Sequence, residues 1–348
     1  MNATQHPEEE EGRAPLAQPV TLTDIARAAG TSASTASRAL SGRGYVSAEA
    51  RARLVAAADR LGYVPNASAR TLKQRTSRVV GVVVSDIGNQ FYARLAAGIE
   101  QTLREADYQM MLLGDNSESA EEIAGARAFL AMRARGVIMT PVSGDAASLL
   151  VAQGVAVVEV DRQLATSPCD AVVIDNERGA YDATAHLLAL GHSKVALLVV
   201  DTEWTSDAGR EQGFRKAHAE AGVELDERLV ARFPVHAPHA KERIERLLRE
   251  DAPTAIFASN NLLAEQAWHV LRRRGLRLPD DVSLVGFDDV PWMEMVDPAI
   301  TVVAQPTEEL GRSAARLLLR RLDDPASPPR LDCLQPSLVI RGSTAPPS

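Results

Sequence analysis

Nine lysines and arginines fall between residues 20 and 76, against three acids, a net charge of +6. The 348-residue chain as a whole carries −8, so everything outside this stretch carries −14. A small basic module on an acidic body meets phosphate with one end only. The stretch closes on Ser68, Ala69, Arg70, Thr71, Leu72, Lys73 and Gln74. A leucine set between cations, with little local core to bury it, is suited to wedge between base steps and bend a duplex.

Three short helical patterns must position these groups. Thr21, with Asp24 three residues on, can cap the first and place a carboxylate at its positive end. Leu22, Ile25, Ala26 and Ala29 then share one face, and Gly30 stops the helix. Ser32 suits the N-cap of a second helix over 33–40, with Ala36 and Leu40 facing in and Ala33, Ser34, Ser37 and Arg38 facing out. Ser47 caps a third, over 48–61, with Leu54, Val55, Ala58 and Leu61 as its inner stripe and Gly62 as its end. Two helices about a tight glycine turn, the second with a small polar outer face, form the helix-turn-helix pattern.

The stretches TLTDIARAAGTSASTASRAL, YVSAEARARL and LGYVPNASARTLK, in that order and spacing, resemble the headpiece of the lactose-repressor (LacI/GalR) family of bacterial transcription regulators. The resemblance implies that the outer face of the second helix enters the major groove. Ala33, Ser34 and Arg38 would then read base edges, and Arg38 has the chemistry to grip guanine O6 and N7 together. Thr21, Ser32, Thr35, Ser37, Ser41, Ser47 and Asn66 would set register on phosphates, and Tyr45 would also reach DNA. Residues 66–76, with Ala69, Leu72 and Lys73, resemble the family's hinge helix, which folds on DNA beside its copy in a dimer. Leu72 would be its minor-groove wedge.

From residue 78 onward, Val/Ile/Leu runs alternate with helical patterns. Strands are expected over 79–84, 109–113, 136–140, 156–160, 171–174, 195–200, 255–258 and 283–287. Helices are expected over 91–105, 119–133, 178–190, 208–221, 239–250 and 261–274. Such alternation means parallel sheets covered on both faces, and the number of units suffices for two sheets. The expected fold class is α/β: a three-helix helix-turn-helix headpiece plus a two-lobed, periplasmic-binding-protein-like sensor. The expected divisions are a solvated tail over 1–19, the headpiece over 20–65, the hinge over 66–76, the sensor and dimerisation domain over 77–342, and a tail over 343–348. No apolar run approaches the roughly 18–20 residues of a membrane span. Two cysteines without metal or redox spacing, and an N-terminus without an apolar signal region, lead us to expect a cytoplasmic protein.

The body resembles the same family through stretches such as SDIGNQFYARLAAGIE, VVEVDR, GREQGFRKAHAEAGV, PTAIFASNN and LPDDVSLVGFDDVPW. The resemblance maps effector contacts to Ser85, Asp86, Asn89, Phe91, Thr140 and Asp161 in one lobe. In the other it maps them to Arg210, Asn260 and Asp288, with Gln305 near the crossover. Carboxylates, amides and a guanidinium at strand ends suit a polyol, and Phe91, Trp204 and Trp292 offer flat apolar faces to a sugar ring. Where the family often follows Asn260 with aspartate, this chain has Asn261.

Enzyme readings fare badly. There is no GxxxxGK[ST] loop and no GxGxxG after the first strand. His236 and His239 are the only close histidine pair and lack a third ligand nearby, so neither metal nor cofactor is expected. The expected partners are a near-palindromic operator, a second copy of the chain and a carbohydrate-type effector that releases DNA, with no membrane. The alternatives are a corepressor that tightens DNA binding, such as a purine or a protein partner, and a sugar receptor with no DNA role.

Overall fold

The computed structural model describes residues 20–42, 44–63, 77–164, 169–202, 204–236 and 238–348. The chain divides into two units between Arg75 and Thr76.

In the first unit, helices α1 (Leu22–Ala28), α2 (Ala33–Ser41) and α3 (Ala48–Leu61) pack around Ile25, Ala26, Ala36, Ala39, Leu54, Ala57 and Ala58. The small residues let three short helices approach closely. Each start is capped as the sequence leads one to expect. Thr21 accepts from the Asp24 backbone N–H while Asp24 accepts from that of Thr21, and Ser32 and Ser47 each accept from the third residue on. Two apolar expectations fail. Val55 and Leu61 are exposed, and Ala57 takes the inner place. On α2, Ala39 is buried where Leu40 is only half-buried. A three-helix core this small closes on alanines and leaves larger side chains at its margin.

The second unit holds two six-stranded sheets. The first lobe's sheet is built from β1 (Val79–Val84), β2 (Gln109–Gly114), β3 (Gly136–Met139), β4 (Ala156–Asp161), β5 (Asp170–Ile174) and β11 (Leu331–Leu334), in the order β11-β5-β4-β3-β1-β2 and wholly parallel. The second lobe uses β6 (Val195–Val200), β7 (Val230–Phe233), β8 (Ala255–Ala258), β9 (Ser283–Phe287), β10 (Thr301–Ala304) and β12 (Ser337–Val339), in the order β12-β10-β9-β8-β6-β7, with β12 antiparallel to β10. Val82, Ile138, Val158 and Leu197, Phe257, Val285 lie fully buried in these strands, as two-sided cover demands. The chain crosses between lobes three times, after β5, β10 and β11.

Helices α4 (Gln90–Glu105), α5 (Ser119–Ala131) and α6 (Gly144–Ala152) cover the first lobe, together with α12 (Thr307–Asp323) arriving from β10. The second lobe carries α7 (Asn176–Ala189), α8 (Thr205–Ala221), α9 (Ala240–Glu250), α10 (Asn261–Arg273) and the short α11 (Pro291–Met295). Where α8 crosses α7, a Cβ on Gly213 would sit 2.1 Å from the Glu177 carbonyl oxygen. Only glycine permits that crossing, and it brings Arg210 onto Asn176.

The expected tail over 343–348 is anchored at its start, with residues 346–348 exposed. Ser343 is fully buried, accepts from Thr301 N–H at 2.8 Å and donates to the Leu284 carbonyl. Ala345 bonds Ser283 and His192, and Ser348 reaches the Asp280 carbonyl. Buried strand-end polar groups need partners, and the terminal segment supplies them.

Candidate functional site

On the headpiece, Ser32, Ala33, Ser34, Arg38 and Ser41 are exposed along α2 and its start, with Thr35 and Ser37 half-buried beside them. Thr21 and Ser47 are exposed at the starts of α1 and α3, and Tyr45 is 91% exposed. A tyrosine that solvated, on the loop between the end of α2 and the start of α3, is an unusual use of apolar surface. Arg38 donates from Nε to the Ser34 carbonyl at 3.3 Å and has no carboxylate partner among the described residues. Its terminal nitrogens are therefore uncommitted, as a bidentate base contact requires. Thr21 Oγ1 already donates to Asp24 at 2.6 Å. Asn66, Ala69, Leu72 and Lys73 lie outside the described residues.

In the second unit, a cleft of about 310 Å³ lies between the lobes. Ser85, Asp86, Asn89, Phe91 and Asp161 line it from the first lobe, and Trp204, Arg210, Asn260 and Asp288 from the second, with Gln305 at a crossover. Two expected residues stand elsewhere. Thr140 is fully buried behind the wall, and Trp292 packs on Trp268 in the second lobe's core, ring centroids 6.1 Å apart. Thr140 ends a fully buried strand and Trp292 sits on a short helix folded back over its own sheet, so neither side chain reaches the opening.

Two guanidiniums brace the walls. Arg210 donates to Asn176 Oδ1 and to the Ser259 carbonyl, both at 2.8 Å, and lies 3.9 Å over the Phe287 ring. Arg162 donates to the Pro141 carbonyl at 2.7 Å and to Ser85 Oγ at 2.6 Å, and lies 3.5 Å over the Trp204 indole. Trp204 in turn donates to the Val142 carbonyl of the first lobe at 3.4 Å.

Asp161 and Asp288 close equivalent strands of the two sheets, β4 and β9, and both have φ of +72°. A left-handed aspartate costs about 1–3 kcal/mol, and such strain collects where a side chain must be aimed. Burial pushes the Asp161 carboxyl up to about 6, against the attraction of Arg162 and Arg210. Burial also raises Asp288 and Asp207, each opposed first by Arg210. Asp288 accepts from Gln305 and from the Asn261 backbone. Gln305 Oε1 is buried with no partner among the described residues, an atom that a ligand hydroxyl would satisfy. Mixed donors and acceptors, two carboxylates near two guanidiniums and one stacked indole offer the hydrogen-bonding chemistry that suits a polyol.

Sequence reasoning missed Arg162, Asp207, Tyr92, Asn116, Ser117 and His236, which also line the cleft. Arg162 was legible only as the neighbour of Asp161. Asn116 and Ser117 carry positive φ, which composition does not signal. Among the described residues no cluster of three or more metal-type ligands occurs, and no helix is long and apolar enough to cross a membrane.

Residues 21–66 match the family profile described as bacterial regulatory proteins, lacI family, and residues 184–344 match a periplasmic binding protein-like domain. The HTH-type transcriptional regulator DegA of Bacillus subtilis (strain 168) is 34% identical over 331 residues, covering 94% of this chain and 98% of that protein. A transcriptional regulator CelR–cellobiose complex superposes with a TM-score of 0.70 at 31% identity, covering 93% of this chain and 99% of its own. The lac repressor dimer bound to operator and the anti-inducer ONPF superposes with a TM-score of 0.82 at 27% identity, covering 94% and 100%.

Proposed function

Because the chain belongs to the LacI family of bacterial regulatory proteins, and so is a sequence-specific DNA-binding transcriptional regulator, we propose that it is a dimeric repressor released from a near-palindromic operator by a sugar or sugar derivative. The observation that carries this reading is the cleft, whose Asp161 comes from one lobe and whose Arg210 and Asp288 come from the other. A ligand touching all three favours one lobe arrangement over another, which is the requirement for coupling to a distant DNA site. The regulator similar to this chain that was solved with cellobiose supports a saccharide. The operator-bound lac repressor dimer supports two-fold assembly on two half-sites.

In this reading Arg38, Ala33 and Ser34 read bases, the neighbouring hydroxyls and Lys73 hold phosphates, and Leu72 wedges the operator centre. Titrating operator with and without saturating sugar tests the proposal. A coupling of about 1–3 kcal/mol is expected, negative in sign and equal when the sugar is titrated with and without operator. Equal sugar affinity in both titrations refutes the coupling, a positive sign makes the ligand a corepressor, and a four-chain mass in light scattering refutes the dimer.

A further inference from the structure

Resting on the sugar reading above, we infer that the effector is a saccharide of at least two rings, whose second ring occupies a side groove of the second lobe. The cleft does not end at Asn260. A second cavity of about 420 Å³ adjoins it and shares Val200, Val235, His236, Asn260 and Leu262 with its lining. Ligand sites run to about 300–1,000 Å³. The cleft alone stands at the bottom of that range, and the continuous space lies well inside it.

The groove runs between the starts of α9 and α10, and its chemistry is that of a neutral ring. Val200, Val235 and Leu263 supply an apolar floor, and Leu262 stands 46% exposed at the junction with nothing apolar over it. A pyranose presents an apolar C–H face to such a surface and hydroxyls around its edge. Lys241 and Gln266 line that edge, and neither side chain has a hydrogen bond or ion pair among the described residues. Asn260 spends its Oδ1 on the Leu263 N–H at 2.8 Å, which leaves its amide N–H groups free at the junction. Lys241 and Glu242 bring opposite charges to the lining, so it does not select an anion such as a sugar phosphate. His236 at the junction lies 3.4 Å from Glu118 of the first lobe, so a ring seated there also meets both lobes.

Calorimetric titration of the full-length protein with glucose, galactose and ribose, and with cellobiose, maltose and lactose, tests the inference. At least one disaccharide should bind tenfold or more tighter than its own monosaccharides. Gln266→Trp, which fills the groove from the partly exposed face of α10, should lower that disaccharide's affinity at least fivefold and leave monosaccharide and operator affinities unchanged. Gln266→Ala should shift it in the same direction by less. Disaccharides binding no tighter than their monosaccharides, or Gln266→Trp weakening both alike, overturn the second ring alone. Binding of no saccharide of either size overturns this inference together with the sugar reading.

Discussion

Replacing Asp161 by asparagine should make the unliganded protein more stable at neutral pH while weakening its ligand binding. Asp161 is 6% exposed, and burial lifts its carboxyl from the usual 3.8 to about 6, the nearby guanidiniums already counted. The folded state therefore prefers the protonated acid. Below pH 3.8 the group is protonated in both states and burial has no electrostatic penalty. As pH rises past 3.8 the unfolded chain ionises first and the folded state is progressively disfavoured, with the full penalty reached just above pH 6. Two pKa units correspond to roughly 3 kcal/mol at pH 7.5, falling to about 1 kcal/mol at pH 4.5.

Asparagine keeps the shape and an acceptor but cannot ionise. Urea unfolding of both proteins from pH 4.5 to 7.5 should show the variant more stable throughout, by a margin that widens with pH. Asp115, also lifted to about 6 by burial, and Glu122 change stability with the same sign but are common to both proteins and cancel in the difference. Asp207 and Asp288 repel Asp161, and the variant's relief of that repulsion adds to the margin in the same direction. A margin that stays flat across this range, or a variant less stable at pH 7.5, would refute the placement of a buried, destabilised carboxylate here. Stability gained together with ligand affinity lost is what a site built for function at the expense of stability produces.

Arg38→Ala should cost roughly 1–3 kcal/mol on the specific site and relax its base preference, and an unchanged ratio of specific to random affinity in anisotropy titrations would remove α2 as the reading helix. Leu72→Ala should leave sugar binding intact and reduce operator bending in a gel or FRET assay, where an equal bend angle argues against the wedge. Deleting residues 343–348 should destabilise the protein by about 3 kcal/mol, since the Thr301 and Leu284 N–H groups are left buried without their partner Ser343, and an unchanged urea midpoint would contradict the anchored terminus. Asn261→Asp should weaken lobe closure by replacing the amide that donates to Asn89 of the other lobe with a carboxylate, seen as a larger radius of gyration in solution scattering; an identical radius counts against that contact.

The headpiece was almost wholly legible because its signals are local. Caps, glycine stops and a charge imbalance act within a few residues, and the sequence carries all of them. The sensor was legible where strands are long and apolar. It was not where they are short: Val230–Phe233 and Thr301–Ala304, four residues each, went unassigned, as did Leu331–Leu334 and Ser337–Val339, which are half exposed and pair with strands more than 150 residues away in one case and about 35 in the other. Helix Thr307–Asp323 went unassigned although its seven buried positions follow a helical face. The cleft was legible as a set of strand ends. Which strand-end residues turn into it was not: Thr140 and Trp292 fall outside, while Arg162 and Asp207 fall inside, because the deciding factor is side-chain direction in a packed wall. The start of the terminus was misread because Ser343 and Ala345 give no local signal, while their bonds run to Ser283, Leu284 and Thr301 on strands far back in the chain; Pro346, Pro347 and Ser348 are exposed as the sequence suggests.

Polar contacts bridge the lobes across the cleft, beside an apolar cluster that runs from Val172 and Ile174 of the first lobe to Ala180, Phe287 and Val303 of the second. Asn261 donates to Asn89 at 2.8 Å, Arg94 to the Asp289 carbonyl at 2.8 Å, and Trp204 to the Val142 carbonyl at 3.4 Å. Each hydrogen bond contributes only about 0.5–1.5 kcal/mol net, so the bridging set is comparable with an allosteric coupling of about 1–3 kcal/mol. The strain is placed where it serves this purpose. The two left-handed aspartates aim at the same cleft from opposite sheets, and the two guanidiniums that offset their charge are held by the wall, not by the ligand. In the proposed reading, a ligand hydroxyl entering between them would replace an unfavourable burial with a hydrogen bond on both lobes. On that proposal, the closed arrangement would be the one that the ligand stabilises more than the lobes do by themselves.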